Sequence, residues 1–359
     1  MLRSWRWAAV AAGVAALVSL PTLAGALPTR SSDVTAEELR DLVRASGAVA
    51  HEAYGESRVD LPLPDVDALG DVPELLGSTT RTRTAWRTPL DWRVDRLTVA
   101  GETDVVRAGA LTTTWDSADR SVTRLLGDLP VRLPRPDDLT APVLARRLVA
   151  TPGTVLSRLP ERRVAGRSAP GLRVAPADPA QTLVESVDVW VEPGSGLPLR
   201  VEVRADGQRN PVVTAVVLDL ELGDPGARRT AFDPPPGSTE TTTQAPDVAA
   251  EVDRLVPFLL PDVLAGDGRA DPAGLGTGGV AVYDRGFEAY AVVPLDRDLG
   301  GDLLDLAPPG GVFATPLVTV LVGRVERTAY VLVGTVPEQV LRDALTALRR
   351  DPPPFVGDR

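Results

Sequence analysis

The residues able to do chemistry are few, and their spacing assigns none of them a reaction. The 359-residue chain has a single histidine, His51, and no cysteine. That removes thiolate nucleophiles, disulfides and a lipid-bearing N-terminal cysteine. It also leaves few options for a zinc site, whose ligands are mostly Cys and His. No Gly-x-Ser-x-Gly elbow, His-Glu-x-x-His pair or phosphate-binding Walker loop occurs. The glycine-rich run Gly274-Leu-Gly-Thr-Gly-Gly279 lacks the flanking strand and helix of a phosphate cradle and reads as a loop. Asp65-Val-Asp67 and Asp296-Arg-Asp298 begin like calcium loops. Their twelfth positions carry Leu76 and Ala307 in place of the bidentate Glu, so both read as solvated acidic loops. His51 falls in the first expected helix and reads as a packing or surface histidine, since catalysis would need a cleft and a nucleophile beside it. Carboxylates are numerous, so a hydrolase stays among the alternatives, but no spacing singles out a pair. The sequence reads as a non-enzymatic protein with no catalytic residue, no metal and no cofactor.

Arginine supplies all 38 basic residues against 49 acidic ones, a formal charge of −11. Neither nucleic acid nor an anionic lipid surface is attracted by such a net field. The tryptophans say more. Trp86, Trp92 and Trp115 fall close together and Trp190 follows later, in a chain with only five Phe and four Tyr. Four such rings are either ordinary sheet packing or the lining of an apolar concavity. A curved sheet crossed by a helix leaves a hollow suited to acyl chains.

The elements that must position these rings follow from periodicity. Arg3 and Arg6 precede an apolar run from Trp7 to Leu20, and Ala24-Gly25-Ala26 offers a small-x-small cleavage pattern, so residues 1–26 read as an export signal. The apolar run is short for a membrane span. An uncleaved anchor is the other reading, and in both the rest of the chain lies outside the cytoplasm. Thr35-Ala-Glu-Glu38 is a capping box, and the spacing predicts a helix from about Val34 to Ala53. Strands are expected near Ser57–Leu63, Thr79–Arg87, Trp92–Val99, Thr103–Arg107, Leu111–Trp115 and Ser121–Leu125, an antiparallel meander by their close spacing. A short helix over Leu139–Ala150 precedes strands at Arg163–Arg167, Leu172–Ala175, Leu183–Glu192, Leu197–Arg204 and Pro211–Leu222. In the hairpin around Pro193-Gly-Ser-Gly196, Val187, Val189 and Val191 alternate with Asp188, Trp190 and Glu192. Leu199, Val201 and Val203 alternate with Arg200, Glu202 and Arg204. This predicts one dry and one wet face, with Val191 opposite Val201, Glu192 facing Arg200 and Asp188 facing Arg204. The valine–leucine face is expected to line the hollow, with Trp190 on the convex side.

The polar run at residues 237–250 reads as a linker. A second unit at 251–350 is expected to hold a helix at Val252–Leu260, strands at Gly279–Tyr283, Tyr290–Pro294, Phe313–Val322 and Ala329–Val333, and a final helix capped by Thr335-Val-Pro-Glu338. Residues 351–359 form a tail.

Trp86-Arg-Thr-Pro-Leu-Asp-Trp92-Arg-Val94, Val105-Val-Arg-Ala-Gly109 and Thr114-Trp-Asp-Ser117 resemble the corresponding run of the periplasmic lipoprotein carrier (LolA) superfamily. Asp188-Val-Trp-Val191 with Gly196-Leu-Pro-Leu-Arg-Val201 is similar to a segment of its MucB/RseB-like sigma-factor regulator branch. Val164-Ala-Gly-Arg167 and Phe232 with Pro234-Pro-Pro-Gly237 fit the same pattern. The likeness covers Val34 to Gly237 within a first unit of residues 27–236. It implies an α+β fold: a half-open antiparallel β-barrel with covering helices, followed here by the small α+β domain. Trp86, Trp92, Val94, Trp115, Val189, Val191, Leu199 and Val201 become candidates for lining an apolar ligand cavity. Arg87 becomes the candidate contact to the helical lid, although its spacing to Pro89 departs from the pattern by one residue. The implied partners are a lipid or acyl-chain ligand and the extracytoplasmic segment of an anti-sigma factor. The implied function is to sense lipid or envelope state in a sigma/anti-sigma pathway; the alternative is a soluble carrier of lipids or lipoproteins.

Overall fold

The computed structural model describes residues 34–63, 70–98, 101–129, 132–247, 258–270, 277–295 and 308–354. The export signal, both acidic loops and most of the helix expected at Val252–Leu260 lie outside the described residues. Among those described, no helix is long and apolar enough to cross a membrane.

Helix α1 (Ala36–Ala45) opens on the expected capping box: Glu38 N donates to the Thr35 hydroxyl, and Thr35 N donates to the Glu38 carboxylate at 2.8 Å. The helix is shorter than predicted. A turn at Ser46–Ala48 ends it and β1 (His51–Val59) begins, so His51 lies on a strand and not on a helix. Strand β1 is bonded on both sides, to β2 (Thr79–Thr88) and to β11 (Val213–Leu222). Two ladders satisfy more of its backbone than the short polar helix could, and tertiary pairing overrides local propensity.

Helix α2 (Val72–Leu76) leads into β2, and the expected meander follows as β3 (Asp91–Leu97), β4 (Glu102–Ala108), β5 (Leu111–Asp116) and β6 (Ser121–Leu126). Helix α3 (Ala141–Val149) then crosses to β7 (Thr154–Val164), β8 (Arg167–Pro176), β9 (Val184–Val191) and β10 (Pro198–Ala205). Strand β7 carries Pro160 at an irregularity in its pairing, which an edge strand tolerates. After β11 and the short α4 (Ala227–Thr230), the polar run expected as a linker supplies β12 (Thr239–Gln244), parallel to β6 and exposed throughout. The twelve strands run β12-β6-β5-β4-β3-β2-β1-β11-β10-β9-β8-β7, a sheet that does not close. Helix α3 lies across β9–β11, with α1 beside it against β7 and β8. Leu39, Val43, Ala145 and Val149 from the helices form one core with Val187, Val189, Val201, Val203 and Ala215.

The β9–β10 hairpin departs from expectation in two ways. Val201 stands opposite Val189, Glu202 opposite Asp188 and Arg200 opposite Trp190, two positions from the predicted register, with an irregularity at Pro198–Arg200. The cause is the turn. The Glu192 carboxylate accepts from Gly194 N, Ser195 N and the Ser195 hydroxyl, so Glu192 closes the loop and does not face Arg200. Gly196 holds a φ of +74°, and a Cβ there would come within 2.7 Å of the Leu42 carbonyl oxygen of α1. Nor is the second face openly wet: Val184, Ser186, Asp188 and Trp190 are nearly as buried as the valines, and only the Arg200 and Arg204 side chains stay partly exposed.

The second unit is a seven-stranded sheet ordered β13 (Val263–Leu264), β14 (Asp267–Ala270), β15 (Ala281–Tyr283), β16 (Tyr290–Leu295), β19 (Thr328–Gly334), β18 (Thr319–Val325) and β17 (Val312–Ala314). The closing helix α5 (Glu338–Arg350) buries Leu341, Ala344, Leu345 and Leu348 against it. The predicted cap at Thr335 does not form, because Thr335 is engaged elsewhere: its hydroxyl donates to Phe287 O at 2.6 Å. That bond belongs to the junction between the sheets. Leu183 N donates to Thr335 O at 2.8 Å, the Thr182 hydroxyl lies 2.8 Å from the carbonyl oxygens of both Phe287 and Thr335, and Phe287 is buried in the first core.

Candidate ligand site under the helical cover

Strand alternation brings one row of rings to the helix-covered face. His51 on β1 stands opposite Trp86 on β2, which stands opposite Trp92 on β3. The rings stack along the row, with centroids 6.3 Å apart for His51–Trp86 and 5.6 Å for Trp86–Trp92. Each indole N–H is satisfied by backbone, Trp86 donating to Gly47 O at 2.8 Å and Trp92 to Pro89 O at 3.1 Å. Val94 and Val105 extend the row, and Val143 of α3 packs on it. The Arg146 guanidinium of α3 lies over Trp86, 5.0 Å from the ring centre, a cation–π contact between cover and sheet.

Two polar atoms here have no partner among the described residues, His51 Nε2 and Arg146 Nη1. His51 Nδ1 lies 2.9 Å from Val49 O. A carbonyl only accepts, so Nδ1 carries the hydrogen and the neutral ring presents Nε2 as an open acceptor. Burial pushes the imidazole down to about 4, and the Arg146 charge adds to the effect. Burial and the neighbouring Arg147 push Arg146 down to about 10. A small cavity of about 10 Å³ lies beside the row, lined by His51, Thr82 and Thr84 on the sheet side and by Leu139, Ala141 and Pro142 on the helix side. Further along, Ser57 and Thr80 face each other with buried, unpartnered hydroxyl oxygens. The covered face thus has an apolar half on β8–β11 and a half rich in hydroxyls and rings on β1–β3.

The N-terminal end of α3 is clamped by charge. The turn Pro136–Leu139 buries Asp137 and Asp138. Asp138 accepts from Arg132 at 2.6 and 2.8 Å and pairs with Arg147 at 2.7 Å; against the cost of burial, these partners hold its carboxyl below the usual range. Burial raises Asp137, although Arg135 binds it at 3.1 Å.

The sequence-predicted residues fall into separate groups. Trp86, Trp92 and Val94 come together in the ring row, whereas Val189, Val191, Leu199 and Val201 lie in the larger core under α1 and α3. Trp115 is on the opposite face, across from Asp104 on β4, and packs on Phe232 with centroids 6.1 Å apart. Trp190 also lies away from the helices, its N–H donating to Pro160 O and Arg162 stacked over it at 4.0 Å. Arg87 alternates outward from Trp86 and donates to Asp91 and Asp224 at 2.5 and 2.9 Å; these bonds hold it at the sheet's outer side. The cation that joins cover to sheet is Arg146. Nothing local distinguishes it from Arg147 in sequence; the signal is its place on α3, which only packing reveals. Among the described residues no group of three or more His, Asp or Glu is placed to hold a metal ion.

Among solved structures, the chain is similar to MucB of Pseudomonas aeruginosa in its complex with MucA, at 18% identity over 87% of this chain and 96% of that one, with a TM-score of 0.47. It is also similar to MucB in complex with the periplasmic part of MucA, at 16% identity over 86% and 96%, with a TM-score of 0.48. A LolA superfamily protein from Nitrosomonas europaea aligns at 13% identity over 56% of this chain and 99% of that one, with a TM-score of 0.27. No protein-family model matches the chain, and no curated protein does.

Proposed function

We propose that this is an exported, non-enzymatic binding protein that holds an acyl-bearing ligand beneath its helical cover and regulates an extracytoplasmic partner of the sigma/anti-sigma type. Residues 27–236, with β12 added at the edge of their sheet, are the binding unit and 251–350 the unit that reads its state. The observation that carries the proposal is the position of α3. It covers the ring row and the valine floor of an unclosed sheet, and the chain just beyond its end touches the second unit. Gly286 has a φ of +70°, and a Cβ there would meet Pro152 O at 2.5 Å, so backbone packs directly on backbone at that point. Phe287 follows and inserts into the first core. A cover linked in this way to a second sheet suits a sensor better than a simple container. The motif likeness supplies the partner class, the outer segment of an anti-sigma factor. The unclosed sheet alone favours the second reading, a soluble carrier of lipids or lipoproteins.

Native mass spectrometry of the purified protein after exposure to extracted lipids should find acyl species bound. A protein that stays lipid-free under those conditions overturns both readings. Capture from membranes then separates them. Recovery of an anti-sigma-type protein supports regulation, and transfer of acylated protein between vesicles supports carriage.

A further inference from the structure

The helical cover brings an uncompensated cation onto the ring row. Arg147 has its carboxylate, Asp138, but Arg146 pairs with no acidic residue among those described, and its Nη1 is shut away from solvent. Arg146 is half-buried, and proteins usually pair a cation whose donor is closed off from water. Both Arg146 and His51 touch Trp86. The site therefore offers one free donor on a cation and one free acceptor on a neutral imidazole, grouped about a single indole. A carboxyl group is the complement, since one oxygen accepts from Arg146 Nη1 and the other shares a hydrogen with His51 Nε2. A phosphate monoester fits less well, because a second negative charge would meet no second cation here.

We propose that His51 and Arg146 form a head-group site for a carboxyl-bearing amphiphile, whose chain runs over Val94, Val105 and Val143. This rests on the binding reading above and names the ligand's polar end. The space now present lies on the His51 side only, is not lined by Arg146, and at about 10 Å³ holds no more than a water molecule. Entry therefore lifts the Leu139–Pro142 roof at the start of α3. A fatty acid is ionised at neutral pH, so binding takes up one proton from solvent, which comes to lie between the carboxyl oxygen and Nε2. The charged group acting on His51 is Arg146 from α3. The neighbours across β2 and β11, Trp86 and Leu222, carry no charge. Glu56, which also lines the cavity, is bound by Arg81 at 3.2 Å.

The test is calorimetric titration of the full chain with myristate, myristyl alcohol and myristyl phosphate near pH 7, in two buffers of different ionisation enthalpy. Myristate should bind at least about tenfold more tightly than either of the others, the effect of one charge-assisted hydrogen bond. Its binding should also be accompanied by uptake of close to one proton. In Arg146→Gln the preference should shrink to about twofold or less. Equal affinity for the three ligands in the wild-type protein, or a preference that survives in Arg146→Gln, overturns the head-group site while leaving the binding reading intact. Failure of all three ligands to bind removes both. Proton uptake is measured on the wild-type protein, so it remains decisive if the variant does not fold: zero uptake sinks the site.

Discussion

On the face of the first sheet turned away from the helices, two pairs of carboxylates that each include a deeply buried acid stand directly opposite one another across neighbouring strands, and their surroundings treat them in opposite ways. Asp188 faces Glu202 between β9 and β10, and Asp95 faces Asp104 between β3 and β4. Glu202 and Asp104 are almost equally buried, at 3% and 1% exposure. Around the first pair four arginines converge. Arg173 binds Asp188 through two bonds of 2.7 Å, Arg204 reaches both acids, and Arg200 and Arg162 each bind Glu202 at 2.8 Å. Against the cost of burial, Arg200 and Arg162 hold the Glu202 carboxyl below its ordinary value. Around the second pair there is one arginine among the described residues. Arg93 binds Asp95 at 2.5 Å and Asp104 at 2.6 Å, Asp104 Oδ1 has no partner among those residues, and burial together with Asp95 pushes Asp104 up to about 7. Like charges placed across a ladder repel. The number of guanidinium groups within reach, not depth, decides whether the buried carboxyl, Glu202 or Asp104, is held below or above its ordinary value.

The largest expected effect comes from breaking the well-compensated pair. Glu202→Ala leaves Arg162, Arg200 and part of Arg204 without their acid. It should cost roughly 2–4 kcal/mol in denaturant unfolding, toward the low end for a buried network because the arginines are partly in water. A cost below about 0.5 kcal/mol would mean that the four arginines need only Asp188.

The opposite sign is expected at the under-compensated pair. The folded-state value of Asp104 is raised from 3.8 to about 7. Its protonated form therefore contributes stability that is complete below about pH 4 and is lost as pH rises through 7. Asp104→Asn should stabilise the protein by about 1–3 kcal/mol at pH 8, with the gain shrinking as pH falls from 7 toward 4. Unfolding curves at the two ends of that window check it, and a pH-independent gain would assign the effect to packing.

The smallest change sharpens the count of arginines. The Arg162 side chain is 46% exposed, and Glu202 keeps Arg200 and Arg204 without it. Arg162→Ala should therefore cost only about 0.5–1 kcal/mol, part of it from the stack on Trp190. A loss as large as that of Glu202→Ala would show that the network acts as one unit.

Much of the strand plan was legible because it depends on local alternation. The meander from β2 to β6 lies within a residue or two of its predicted bounds, and the Thr35 cap stands as expected. The candidate site was legible only in part. Cross-strand pairing joined Trp86 to Trp92 and Val94, residues already singled out, but the same alternation sent Trp115 to the other face. His51 was misplaced because β1 owes its form to two partners far along the chain. Thr335 resembles a helix cap, but its hydroxyl is taken by Phe287, 48 residues upstream.

By itself, the sequence determined the α+β class, the antiparallel order of the early strands and the lack of recognised catalytic motifs, because each of these rests on residue type and short-range period. Only the tertiary structure decided the register of the β9–β10 hairpin, which Glu192 sets through its turn. It alone decided that the acids on the hairpin's second face are buried beneath arginines, and that Arg146 and not Arg87 reaches across to the rings. These last outcomes depend on which element packs on which, and so on distances between residues far apart in the chain that no local pattern encodes.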